Sequence, residues 1–256
     1  MAQRLPRTHF NSSALVRVLT ELVETDGSAS KQSFAERLGQ WLDIGDALAL
    51  FSALDAGSQP AEVPSKSPAA DIRAVRGPFT RVRAALVNSI TGVAGAEGDK
   101  VRIELPVPAP NETVERAADF APYHRYYLAH QREMAARIGP LRTEARTALG
   151  RRSANHARLA GLDAVLDKAL SARERDLLAT VPALLGRRFA RLHDAHQARF
   201  AEAQAADDPS RWMQGGGWLA IFCADLRAVL LAELELRLQP VAGLLAALDN
   251  EVTGKQ

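Results

Sequence analysis

From residue 123 onward, apolar residues return at steps of three and four with few interruptions. Tyr123, Tyr127, His130, Met134 and Ile138 form one row, Leu141, Ala145 and Leu149 a second, and Leu159, Leu162, Leu166 and Leu170 a third. Residues at that spacing share one face of an α-helix, so each row predicts a helix with a buried stripe. The first row is expected to break at Gly139-Pro140, because an interior proline lacks a backbone donor and crowds the preceding turn. Ser171 and Glu174 have the capping-box form and predict the start of another helix. Its inner face would carry Leu178, Val181, Leu185, Phe189, Leu192, His196 and Phe200. Spacing this sustained predicts long antiparallel helices over 123–206, packed like a coiled coil, with Leu166 and Leu185 on facing helices. After the polar stretch AQAADDPSRWMQ, the final helices carry Leu219, Phe222, Leu226, Val229 and Leu230, then Leu244, Leu245 and Leu248 beyond Pro240.

The first part of the chain is patterned in shorter pieces. Asn11 or Ser12 can cap a helix bearing Leu15, Val18, Leu19 and Leu22. A second helix from about Ser30 would carry Phe34, Leu38, Trp41 and Leu42, and a third Ile44, Leu48, Phe51 and Leu54. These predict a small N-terminal helical bundle over 1–55. The stretch AGSQPAEVPSKSPAA, 56–70, reads as a linker. Over 71–112 the pattern gives a helix with Ile72, Val75, Phe79, Val82, Leu86 and Ile90, kinked at Gly77-Pro78, then an extended loop containing Gly and Pro. Val101, Ile103, Leu105 and Val107 alternate as in a strand, but Pro106 and Pro108 exclude a central one. Two readings of 101–107 stand: a loose loop, or a segment that adds to the edge of a partner's sheet. The expected fold class is all-α, with 113–256 forming the long-helix bundle.

Composition agrees with helix. Apolar residues make up 47% of the 256 positions and aromatics 5%, with Ala, Leu and Arg prominent. The one cysteine, Cys223, excludes an internal disulfide framework and a Cys-rich zinc site, which points to a cytoplasmic protein. The apolar run GGGWLAIFCA stops at Asp225, well short of a membrane span, and the start MAQRLPRTHFNSS has no apolar core, so no direct membrane insertion is expected.

Charge is unevenly spread. Residues 123–200 hold 15 Lys and Arg against 7 Asp and Glu, an excess of 8, whereas 201–256 hold 4 against 8. Two readings follow: polyanion binding, or pairing with acidic flanks of this chain or of a second copy in a homo-oligomer. For polyanion binding the candidates are Arg73, Arg76, Arg81, Arg83, Arg151, Arg152, Arg187 and Arg188.

Few stretches offer chemistry. Gly215-Gly216-Gly217 is followed by Trp218-Leu219, with neither the lysine nor the hydroxyl of a phosphate loop and no preceding strand. The run reads as a flexible joint before a buried helix, anchored by Trp212 and Trp218. His193 and His196 stand at a spacing that can share a metal, but no third ligand accompanies them, so no metal site is expected. The tyrosine- and histidine-rich YHRYYLAHQREM could stack on bases, or seal a helix seam with its hydroxyls at the edge. Cys223 sits in an apolar run with no nearby histidine and reads as a small core residue. No catalytic constellation can be assembled, and no cofactor is implied.

Four stretches carry a family resemblance: SFAERLGQWLDIGDALALFSAL (33–54), FAPYHRYYLAHQREMAARIGPLR (120–142), LDAVLDKALSARERDLLATVPALLGRRF (162–189) and GGWLAIFCADLRAVLLAELELRLQPVAGLLAAL (216–248). They resemble an uncharacterised bacterial family of unknown function, and the resemblance transfers no site residues. It implies genes beside those for OmpA-like proteins and membrane proteins similar to flagellar-stator components, as in Zorya-type phage defence. The function expected on that basis is a non-enzymatic cytoplasmic adaptor, binding the cytoplasmic part of an ion-driven membrane motor complex by helix packing. The alternative is a nucleic-acid-binding protein that uses the basic section 123–200.

Overall fold

The computed structural model describes residues 13–23, 44–55, 68–93, 103–109, 113–203 and 207–253. The protein is all-α: α1 (Ala14–Val23), α2 (Ile44–Asp55), α3 (Pro68–Thr91), the single turn α4 (Val114–Ala117), α5 (Ala121–Gly150), α6 (Ala154–Leu178), α7 (Val181–Ala203) and α8 (Trp218–Thr253), with a 3₁₀ turn at Pro209–Arg211. Among the described residues there is no strand. Ile103 and Leu105 lie against the core while Val107 is 70% exposed, so the alternation read over 101–107 ends at Pro106. Val101 lies outside the described residues, as do Asn11, Ser12 and the helix expected from Ser30.

α8 is the hub. Helices α1, α3, α5 and α7 all pack on it, and α6 touches it. Its sequence suits that place: Phe222, Leu226, Val229, Leu230, Leu234, Leu238, Val241 and Leu248 are all buried and span about half of the helix circumference, while Ala224, Ala228, Glu235, Gln239, Ala242 and Ala246 on the other side are exposed. An apolar face that broad needs several neighbours to cover it. The second layer is α5, paired with α6, α8 and α3. The two described helices of the expected N-terminal bundle divide between these layers, α1 packing on α8 and α7, and α2 on α6.

Three sequence expectations are corrected. First, α5 and α8 run unbroken through Pro140 and Pro240, as α3 does through Pro78 in line with its stripe. An interior proline costs ~3 kcal/mol, but the stripes stay in phase across it, with Ile138 and Leu141 buried either side of Pro140. Pro140 itself faces solvent, as does Ala136, so water can satisfy the carbonyl that the proline frees. Second, Ser171 does not start a helix. Its hydroxyl donates back to the Lys168 carbonyl in mid-helix, while Ser153 caps α6 by accepting from the His156 backbone N–H. The interruption comes instead at Ala179-Thr180, and Pro182 then occupies the first turn of α7, where its missing N–H costs nothing. Third, Leu166 and Leu185 do not face each other. α6 folds back on α5 through the turn at 151–153, whereas α7 packs on α8. Leu185 is fully buried there and Leu166 only half-buried.

Candidate functional site

The eight candidate arginines are dispersed. Arg73, Arg76, Arg81 and Arg83 lie on α3, Arg151 and Arg152 in the α5–α6 turn, and Arg187 and Arg188 on α7. Arg76 pairs with Asp249 and Arg152 donates to the Leu248 carbonyl at 3.1 Å, both near the C-terminal end of α8. Arg188 pairs with Asp225 at 2.9 Å toward the other end, roughly 36 Å away at 1.5 Å per residue. Arg83 reaches Glu235 at 3.7 Å, between them. Three of the eight, Arg76, Arg83 and Arg188, thus pair with carboxylates of the acidic C-terminal section. Arg142 grips Asp163 with two bonds of 3.0 and 2.7 Å and Asp167 with one of 2.6 Å, and Arg146 joins the same two carboxylates. Burial raises the Asp163 pKa, but the hydrogen bonds and charges of Arg142 and Arg146 outweigh it and hold the carboxyl below its ordinary value.

The tyrosine-rich stretch is core. Tyr123, Tyr126, Tyr127 and His130 are all buried, so none can stack on a base. The hydroxyls do not sit at a seam's edge either. Tyr127 donates to Glu233, a fully buried carboxylate on α8 that also accepts from Gln131 at 3.0 Å and Arg237 at 2.8 Å. Arg237 continues to Glu174 of α6 at 3.4 Å. This chain of polar contacts pins α5, α8 and α6 together. Sequence reasoning missed it, since Glu233 has no signal of its own in a Leu-rich helix. His130 lies beside Tyr126, ring centroids 4.5 Å apart, and neither ring nitrogen has a hydrogen-bond partner. Burial lowers its pKa to about 4. Burial likewise pushes the Cys223 thiol up to about 11, a poor nucleophile.

His193 and His196 have separate surroundings. His193 packs on the edge of Trp218 at 5.3 Å, whereas His196 bonds Asp207 through Nε2 at 2.9 Å. Among the described residues no three His, Cys, Asp or Glu side chains converge as metal ligands. The glycine run is a close-packed turn and not a loose joint. Gly216 has φ +85°, and a Cβ on Gly217 would collide with the carbonyl oxygens of Arg211 and Trp212. Gly217 N–H bonds the Gln214 carbonyl at 2.8 Å, Ala220 N–H bonds that of Trp212 at 2.9 Å, and both tryptophans are buried.

One surface stands apart. α2 has no charged residue between Asp46 and Asp55, yet Leu48, Phe51 and Leu54 are 63%, 66% and 47% exposed. The sequence placed these three inward. In the structure the opposite side, with Leu50 and Ala53, faces α6, where Ala53 lies beside Gly161. Arg158 of α6 fixes that orientation by donating two hydrogen bonds, 2.9 and 2.6 Å, to the Leu54 carbonyl at the end of α2.

Hub helix, polar pin and outward apolar row define an all-helical protein. The chain belongs to a family described as a protein of unknown function (DUF3348), matched over residues 1–250. No curated protein and no solved structure matches it. Among the described residues no helix is long and apolar enough to cross a membrane.

Proposed function

We propose that the protein is a non-enzymatic accessory subunit that packs helix against helix onto another protein, through the outer face of α2. The observation that carries this reading is the exposed row Leu48, Phe51 and Leu54. Covering such a row removes apolar surface from water at about 25 cal/mol per Å², roughly 1.5–3 kcal/mol for each large side chain taken from full exposure to burial. The i, i+3, i+6 spacing suits the apolar stripe of a partner helix laid alongside. The resemblance noted in the sequence suggests the partner: the cytoplasmic part of an ion-driven membrane motor assembly, stator-like or Zorya-like, with this protein in the cytoplasm.

The test is co-purification with the stator-like membrane proteins in mild detergent, using wild type and Leu48→Glu/Phe51→Glu. Both substitutions fall on exposed positions, so the fold should persist. Retention of wild type and loss of the double variant is the expected result. Failure of wild type to co-purify, or equal retention of the two, would contradict the proposal.

A further inference from the structure

The turn before α8 walls a cavity of about 430 Å³, within the range of small-molecule sites. Its other wall is the end of α7. Phe200, Trp212, Trp218 and Ile221 give it aromatic and aliphatic sides, and Ile221 is 39% exposed although large and apolar. The tryptophans are firmly set. Trp218 packs edge-on against Phe189 at 5.3 Å, and Phe189 in turn against Phe222 at 4.9 Å. Asp207 accepts from the Trp212 indole N–H and from His196 Nε2, each at 2.9 Å. Both of its oxygens are therefore engaged in bracing the wall.

What remains unmatched is positive or donating. Arg199 lines the cavity, and no hydrogen bond or ion pair engages it among the described residues. The indole N–H of Trp218 is buried without an acceptor. Gly217 and Trp218, at the N-terminus of α8, also line the cavity, where the helix dipole favours negative charge. With Arg211 paired to Asp208 at 3.6 Å and Asp207 held by Trp212 and His196, Arg199 is the lining cation left without a bonded partner among the described residues. A planar monoanion with a flat apolar body fits this set, because a guanidinium matches a carboxylate in geometry and charge. A phosphate dianion would need a second free cation.

We infer that this cavity is a binding site for a small aromatic carboxylate, held by Arg199 at its charged end and by Phe200, Trp212, Trp218 and Ile221 along its ring. The site is separate from the α2 face, and its occupancy does not depend on the adaptor reading.

The test is calorimetric titration of the full chain with 1-naphthoate and its neutral counterpart 1-naphthamide, on wild type, Arg199→Gln and Ile221→Glu. Both residues are exposed, and unchanged melting would show that the variants fold. Wild type should bind naphthoate saturably and at least about tenfold more tightly than the amide. Arg199→Gln should weaken naphthoate by about tenfold, the loss of one charge-assisted contact, and leave the amide unchanged. Ile221→Glu should weaken both. No saturation by naphthoate at millimolar concentration would overturn the inference. So would an Arg199→Gln variant that binds it as tightly as wild type, or an amide bound as well as the acid.

Discussion

Helices α8 and α6 carry similar sequence, Leu-rich with apolar residues at steps of three and four, but they meet different surroundings. On α8, Leu226, Val229, Leu230, Val241 and Leu248 have no exposed surface. On α6 only Ala160 and Leu178 are buried, while Leu159 and Leu177 are 43% and 51% exposed. α8 is enclosed by α1, α3, α5 and α7, whereas α6 lies between α5 and the half-covered α2. A hydrophobic row therefore records which face is apolar and not how many neighbours will cover it. Among the described residues, one side of the molecule is a closed core and the other a layer that leaves large apolar side chains exposed.

The sharpest contrast should come from the polar pin of the finished side. Glu233→Ala would leave Tyr127, Gln131 and Arg237 without their shared acceptor, at a cost of about 3–5 kcal/mol, the range for breaking one partner out of a buried ionic contact. Glu174→Ala, at the exposed end of the same chain of contacts, should cost under about 1 kcal/mol. Denaturant unfolding of the two variants measures the difference, and equal effects would remove the pin from the account.

Truncation of leucines comes next. Leu230→Ala should cost ~2–5 kcal/mol through lost burial and a residual cavity, and Leu166→Ala, half-buried on α6, distinctly less. Similar costs at the two positions would mean that α6 is as enclosed as α8.

Acid should separate the regions more gently. His130 is held neutral by burial, with a pKa of about 4 against about 6.5 when unfolded. Below pH 6.5 the unfolded chain binds the proton more readily, so stability should fall as pH drops toward 4, by up to about 1.4 kcal/mol per unit. His130→Leu should flatten that slope. Asp163 acts in a lower window. Its depressed pKa contributes stability that is complete above the unfolded value of 3.8 and lost as pH falls through the folded one. A His130→Leu variant with an unchanged slope between pH 6.5 and 4 would contradict the assignment.

The architecture was largely legible in the sequence, because α3, α5 and α8 declare their buried faces by period. Prolines misled the reading of boundaries: local propensity at Pro140 and Pro240 was overridden by packing on either side. Ser171 and Glu174 misled in the opposite sense, since a capping pattern has no force inside a helix already held by its neighbours. Neither the pin nor the cavity was legible. Glu233, Tyr127 and Gln131 come together only through the crossing of α5 and α8, and the cavity joins α7 to a turn whose glycines were read only as a joint. On α2, period identified Leu48, Phe51 and Leu54 as one row but could not say that the row faces outward.

That outward row is tested most directly by placing the photoreactive residue p-benzoylphenylalanine at Phe51, with a control at the equally exposed Val107. The full chain would be irradiated in cells that also express the stator-like membrane proteins. The account predicts an adduct between Phe51 and a second polypeptide, absent from the control. An adduct from Phe51 only to this same chain, or none at all, would contradict the docking claim.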